Sequence, residues 1–540
     1  VASAPTSPPT RRHALRLIAA SSLSACAGLR DVLAQAAAPA IVTLDGARPQ
    51  MPSGVMSGDV TDQRAIVWSR ADRPARMIVD VATTESMRGA HRIVGPAALE
   101  ANDFTARVDF SNLAPGQTHF YRVRFQDLAN PKVYSAPQNG RFRTPSHRAS
   151  STPRDLVFAF SGDEAGQGWG INEAWGGYRI YEAMRRFEPD FFIHSGDQIY
   201  ADGPLQAEVK LDDGNVWTNL VTPEKSKVAE TLAEYRGAFA YNLLDAHKRR
   251  FCAEVPMLVQ WDDHETRNNW YPGQRIGAAE KRYQERDASL LSARANRAMF
   301  EYNPMRFDTV DPTRVYRAHR MGPLVDVFML DERSYRGANS PNRQTAPGPD
   351  ADFLGPAQMR WFKQALVDSH ATWKVIASDM PLSIVVPDLN ADVPPGTFEA
   401  WANADDGAPS GRELEVADLL RFIKQRNIKN VVWVTADVHY ASATHYRPER
   451  AQFTDFKPFW EFVGGPLHAG TFGPGEIDKT FGPDVKFVSV QPGMKQNRPP
   501  SDGLQFFGIG RVDARSKALT VSLHGLDGTK LYSVELPPEA

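Results

Sequence analysis

Five short apolar runs in this chain each lead into an acidic residue. Phe158-Ala159-Phe160-Ser161-Gly162 leads to Asp163, and Phe191-Phe192-Ile193-His194-Ser195-Gly196 leads to Asp197. The run 257–261 leads to Asp262-Asp263-His264-Glu265, 375–378 to Asp379, and 432–436 to Asp437-Val438-His439. Runs of this length read as buried strands, and in open α/β sheets ligands bind beyond the carboxyl ends of the strands. A single aspartate there is ordinarily a turn or helix cap. Five gathered at one place, two with a histidine close behind, would repel one another unless a cation balanced them. The chemistry this spacing implies is that of a metal cluster.

The elements that must carry these residues follow from the hydrophobic pattern. Residues 156–161 read as a strand, 177–187 have helical spacing, and 190–195 read as a second strand. Such a unit implies parallel strands joined by a right-handed crossover. Further strands are expected at 257–261, 324–330, 374–377 and 431–435, helices over much of 205–250 and 278–302, and strands again from 484 to 536. Residues 41–147 look different: 65–68, 77–82, 105–110 and 119–125 are short strand-like runs with turn residues between them, the pattern of a β-sandwich of immunoglobulin or fibronectin type. A chain of 540 residues needs more than one core. The expected division is a leader over 1–38, a β-sandwich domain over 39–147 and an α/β domain over 148–540.

The leader has Arg11-Arg12, a modest apolar stretch and Ala34-Gln35-Ala36, a small-x-small cleavage pattern. Paired arginines point to the twin-arginine export route, hence a periplasmic or secreted protein. Leu23-Ser24-Ala25-Cys26 offers the alternative of a lipid anchor on Cys26. With export, Cys252 is left alone and reads as a small buried apolar side chain. A net charge of −2 gives no reason to expect a nucleic-acid partner, and no apolar run is long enough to span a membrane.

Gly196-Asp197-Gln198-Ile199-Tyr200, Trp261-Asp262-Asp263-His264-Glu265 and Ala436-Asp437-Val438-His439 together resemble the PhoD-type alkaline phosphatases and phosphodiesterases of the calcineurin-like metallophosphoesterase superfamily. The resemblance runs from about residue 50 to the C-terminus. It implies a four-layer αββα sandwich behind the N-terminal β-sandwich. It further implies that Asp197 bridges two metals, with Asp163, Tyr200 and His439 completing a first site. A phenolate, an imidazole and carboxylates suit Fe(III). The second site, with Asp263, Asp379 and Asp437 where relatives have asparagine and histidines, suits Ca²⁺, with Mn²⁺, Mg²⁺ or Zn²⁺ as alternatives. Many PhoD-type members carry a metal-binding cysteine at the end of the first strand. Here that place is taken by Asp163, or less readily Glu164.

The expected function is hydrolysis of a small-molecule or lipid phosphoester by a metal-activated hydroxide in a two- or three-metal centre. His264 is the candidate acid for the leaving group, with Glu265 orienting its imidazole. Asn268 and Asn269 are candidate contacts to metal or substrate phosphate, or turn formers, and Arg267, Arg333 and Arg336 are either clamps on the substrate anion or structural pairs. His468 reads as a loop-packing residue and His194 as a core or supporting histidine. A phospholipase D-like activity of the same family is one alternative, and a non-catalytic calcium-dependent surface binding protein is another.

Overall fold

The structure is a computed structural model that describes residues 43–391 and 393–539. The leader, with Arg11, Arg12, Cys26 and Ala34 to Ala36, lies outside the described residues. Residues 43–48, which hold a single 3-10 turn at Asp45–Ala47, form a unit apart from the rest.

Seven strands come first: β1 (Val55–Gly58), β2 (Ala65–Arg70), β3 (Ala75–Ala82), β4 (His91–Ala98), β5 (Thr105–Phe110), β6 (Thr118–Asp127) and β7 (Gln138–Arg143). Their side chains alternate as the sequence pattern requires. In β6, buried and half-buried residues follow one another without a break, so every second residue faces the core. One sheet has the order β4-β3-β6-β7, while β1, β2 and β5 pair with each other in a second. Val67, Val108 and Phe110 of the second meet Val79, Val123 and Phe125 of the first in a shared core. This is the expected N-terminal β-sandwich.

The sandwich is not closed on the side of the α/β fold. β1 pairs in parallel with a later strand, Gly58 opposite Met257, so its second sheet continues into the larger fold. That sheet has nine strands in the order β22-β21-β20-β8-β9-β12-β1-β2-β5. Here β8 is Leu156–Ser161, β9 Phe191–Ser195, β12 Met257–Gln260, β20 Phe506–Val512, β21 Leu519–Gly525 and β22 Lys530–Leu536. A small hairpin, β10 (Glu208–Lys210) with β11 (Val216–Thr218), stands between. A seven-stranded sheet runs β13-β14-β15-β16-β18-β17-β19, with β13 at Arg317–Met321, β14 at Val325–Met329, β15 at Trp373–Ala377, β16 at Val431–Thr435, β17 at Ser442–Tyr446, β18 at Phe459–Val463 and β19 at Pro483–Val488.

The period of two along the strands builds the layers. Phe158 and Phe160 of β8 point between the sheets, where they meet Val327, Val375 and Val434. Val157 and Ala159 point the other way, toward helices α1 (Arg179–Arg185), α2 (Leu232–Asn242), α3 (Ala246–Glu254) and α4 (Ala288–Tyr302). The outer face of the seven-stranded sheet packs on α5 (Gly355–Val367) and α6 (Glu413–Gln425) through Phe328, Phe362, Leu419 and Trp433. The result is the four-layer αββα arrangement. Phe158 and Phe160 lie opposite Gly510 and Gly508 of β20. A Cβ on either glycine would overlap the facing ring, so the bare backbone lets the rings lie across the neighbouring strand.

Helices fill less of 205–250 and 278–302 than expected. Residues 205–231 hold the hairpin and loops, and α2 begins at Leu232 behind a Thr231–Glu234 capping box. The overlooked signal is Asp212-Asp213-Gly214, whose glycine takes φ of 86°, a hairpin turn ahead of the β-prone Val216-Trp217-Thr218. Helix α4 likewise starts at Ala288, where the Asp287 side chain caps it.

Candidate metal centre

The carboxyl ends of β8, β9, β12 and β16 meet at one place, and the chain turns sharply as it leaves each strand. Asp163, Asp197, Asp437 and His439 adopt φ of 67°, 52°, 62° and 60°, and Asn269 has 58°. Left-handed backbone is uncommon outside glycine, and such conformations concentrate at functional sites. The loops are tied within and across the sheets. The Glu164 N–H donates to the Asp197 carbonyl at 2.9 Å within one sheet, and the His468 N–H donates to the Asp163 carbonyl at 3.0 Å across to the other.

Two groups of side chains with metal-ligand donors emerge. Asp163, Asp197 and His439 form one, and Asp197, Asp263 and His264 form the other, with donor atoms in each within 4.8 Å of one another. Asp197 belongs to both. In the first group, His439 Nδ1 donates to the Gly470 carbonyl at 2.5 Å, which leaves Nε2 as the free lone pair. Nε2 accepts from the Tyr200 hydroxyl at 2.7 Å and lies 3.8 Å from Asp163 Oδ1. Burial lowers the His439 imidazole to about 3, so the ring is neutral, the form that binds metal. Burial, then the neighbouring carboxylates Asp197 and Asp163, push the Tyr200 hydroxyl well up.

Both Asp163 oxygens and Asp263 Oδ1 are buried without a hydrogen-bond partner, although buried carboxylates are normally satisfied. Burial and then the charge of Asp262 hold both Asp163 and Asp197 well above the usual carboxylate range. Crowded carboxylates, unpartnered oxygens and a correctly tautomeric imidazole are the donor set of a cation site. The residues present therefore fit the metal that the sequence pattern implies.

Asp263 Oδ2 accepts the Asn269 N–H at 2.5 Å, and its Oδ1 lies 3.7 Å from His264 Nε2. His264 Nδ1 is 2.6 Å from Asp202 Oδ1, and its ring lies 4.2 Å from that of Tyr200. Burial would lower the imidazole, but Asp202 and Asp263 outweigh it and raise it to about 10. These residues open onto a cavity of about 330 Å³, which Asn268, Asn269, Glu399 and Asp437 also line.

The expectation for Glu265 needs correction, and the structure gives the other expected residues the following partners. Glu265 does not orient His264. Its oxygens accept the N–H groups of Gln198, at 2.6 Å, and Asp262, at 2.9 Å, so it staples the turn after β9 to that after β12. The orienting acid is Asp202, whose sequence context, Ala201-Asp202-Gly203, reads only as a turn. Asp379 stands outside both ligand groups. Both its oxygens are buried without a hydrogen-bond partner, like those of Asp163, 3.7 Å from Arg333 Nε, with Glu332 and Asp262 as acidic neighbours. Asp437 lines the cavity outside both groups. Arg267 is buried away from the cavity, bonded to Gln274 at 2.7 Å beside the Tyr283 ring. Arg333 is a structural pair rather than a clamp, donating to Asp262 at 2.6 Å and Glu399 at 2.7 Å. Arg336 is buried against Glu399 and the Phe353 ring. Glu164 turns away to Lys248 and Tyr181, with His194 behind it at 3.6 Å. His468 packs against Tyr178, ring centroids 4.6 Å apart, as a loop residue would.

Comparison with known proteins shows the family of the chain. The model of the PhoD-like phosphatase family matches residues 158–523, and that of the PhoD-like phosphatase N-terminal domain matches 35–146. Alkaline phosphatase D of Bacillus subtilis (strain 168) is 28% identical over 440 residues, covering 77% of this chain and 69% of its own. Among solved structures, that of PhoD superposes with a TM-score of 0.66 at 20% identity, covering 93% of this chain and 94% of the other. The purple acid phosphatase PPD1 of yellow lupin seeds does so with a TM-score of 0.54 at 11% identity, covering 90% and 75%. At these identities the two structures speak for the fold.

Proposed function

We propose, since this chain belongs to the PhoD-like phosphatase family, a specific division of labour among its site residues. The protein is a metal-dependent phosphoester hydrolase, and the binding-protein alternative falls with that membership. The observation that carries the proposal is the pair of ligand groups sharing Asp197.

In this reading Asp163, Asp197, Tyr200 and His439 hold Fe(III). With its hydroxyl pushed well up, Tyr200 binds as a phenolate only to a cation of high charge. Asp197 and Asp263 hold Ca²⁺, with Asp437, which lines the same cavity, as the candidate for a further oxygen and Mn²⁺, Mg²⁺ or Zn²⁺ as alternatives. Bound cations supply charge neutralisation for the carboxylates, polarisation of the phosphoryl oxygens and a lowered pKa for water. The chain's own residues supply the rest. Asp202 holds Nδ1 of His264, so Nε2 faces the cavity side of Asp263 carrying a proton. That proton goes to the leaving oxygen as its bond to phosphorus breaks, a general-acid contribution of about 10²–10⁴-fold. Asn268 and Asn269 offer amide donors at the same wall. Glu265 keeps the loops of Asp197 and Asp263 together.

Elemental analysis and turnover test this. Iron and calcium near one each per chain are expected, with hydrolysis of p-nitrophenyl phosphate or bis-p-nitrophenyl phosphate. Inactivity on both with metal bound overturns the assignment. His264→Ala should lower kcat and keep both metals; loss of a metal would make His264 a ligand, as its place in the second group allows. The proposal extends to export through Arg11-Arg12. An R11K/R12K pair should then leave the protein in the cytoplasm. The described residues contain no helix long and apolar enough to cross a membrane. The domain limits 39–147 and 148–540 are proposed with it.

A further inference from the structure

The cavity has a second face whose chemistry the metal groups do not explain. Val386, Pro387 and Leu389, from the loop after β15, and Val438 and Phe472 line it beside the acidic end. Leu389 is 83% exposed and continues this apolar lining to the mouth. The face is braced. Ile384 forms a bridge with Ile477, and the Val385 N–H donates to the Glu476 carbonyl at 2.9 Å. Asp388 accepts side-chain amides from Asn269 at 2.9 Å and Asn339 at 2.8 Å. Phe472 stands edge-on to His439, ring centroids 5.3 Å apart. Among the described residues, no lysine or arginine lines the cavity.

A phosphoester with its phosphoryl group at the acidic end must lay its substituent along this face. An apolar substituent gains about 25 cal/mol for each Å² it removes from water. A hydroxylated one loses hydrogen bonds to water for little return. At about 330 Å³ the space is at the lower end of the roughly 300–1,000 Å³ of small-molecule sites, room for one ring beside the phosphoryl group.

We infer that Val386, Leu389 and Phe472 form a specificity subsite selecting phosphoesters that carry one compact apolar substituent of about aryl size. This rests on the hydrolase reading above and adds the substrate class to it.

Three diesters with the same p-nitrophenolate leaving group and a phenyl, methyl or glyceryl second substituent test the subsite. The metal-loaded protein should favour phenyl over glyceryl in kcat/KM by about tenfold or more, the scale of apolar-pocket discrimination. In Leu389→Ser and in the shape-conserving Val386→Thr the phenyl-to-glyceryl ratio should fall toward one. The loss should appear in KM, with iron and calcium content as in the wild type. A flat ratio in the wild type, or one unchanged in both variants, overturns the subsite while turnover itself upholds the hydrolase roles. Phosphatidylcholine vesicles cleaved faster than the phenyl ester also overturn it. No turnover of the three diesters overturns the subsite, and absence of turnover of p-nitrophenyl phosphate as well overturns the hydrolase roles.

Discussion

Replacing Lys248 with methionine removes one half of a buried ion pair and leaves the other half stranded. Lys248 reaches from α3, whose N-terminus Asp245 caps at the Lys248 N–H, to Glu164 at 2.6 Å, with side-chain exposures of 7% and 0%. Tyr181 adds a bond to the same carboxylate oxygen at 2.8 Å. Breaking such a pair from one side costs about 3–5 kcal/mol, because the remaining charge stays buried. With an unfolding entropy of about 2.1 cal/mol/K per residue over roughly 500 residues, this lowers Tm by about 3–5 °C. Burial alone would raise the Glu164 carboxyl, but Lys248 and His194 together outweigh it and hold it below its ordinary 4.5. The pair's contribution is thus fully present above pH 4.5 and is lost as pH falls through the lower folded value. In K248M the sign reverses, since an unpaired buried Glu164 is favoured by protonation. Thermal melts of K248M, E164Q and the double variant from pH 4 to 8 check this. The double variant should recover at least half of the summed single losses. Unchanged Tm in K248M, or singles that add without coupling, would refute the reasoning.

Asp202→Asn removes the charge that holds the His264 proton. The fall of kcat at high pH, which follows loss of that proton, should then move to lower pH in the pH–rate profile, with metal content unchanged. Gly508→Ala drives a methyl into the Phe160 ring and should cost about 1–3 kcal/mol in a urea melt. Chelation should abolish turnover and lower Tm by about 3 °C or more. Occupancy at 100 times Kd contributes about 2.7 kcal/mol, spread over the same unfolding entropy. Restoring the metals should reverse both effects.

The strand ends, and the residues that follow them, were legible before any fold was known. Asp163, Asp197, Asp263 and His439 lie where short continuous apolar runs give way to turns, and a buried strand determines where its own end falls. The β-sandwich was legible for the same reason, in the unbroken alternation of β6. Which way each acid turns was not. Asp379 follows its strand as Asp163 does, yet its carboxylate faces Arg333 in the interior, because that arginine arrives from the separate loop after β14. Asp202 carried no signal of its own and holds His264; Arg267 could be clamp or structural pair and is buried on Gln274. The apolar face of the cavity gave no signal, since Leu389 and Phe472 are far apart in sequence. Local pattern determines secondary structure and strand ends because it acts through neighbours along the chain. The partner of a charged side chain comes from whichever distant loop the fold packs beside it, and only tertiary structure decides that.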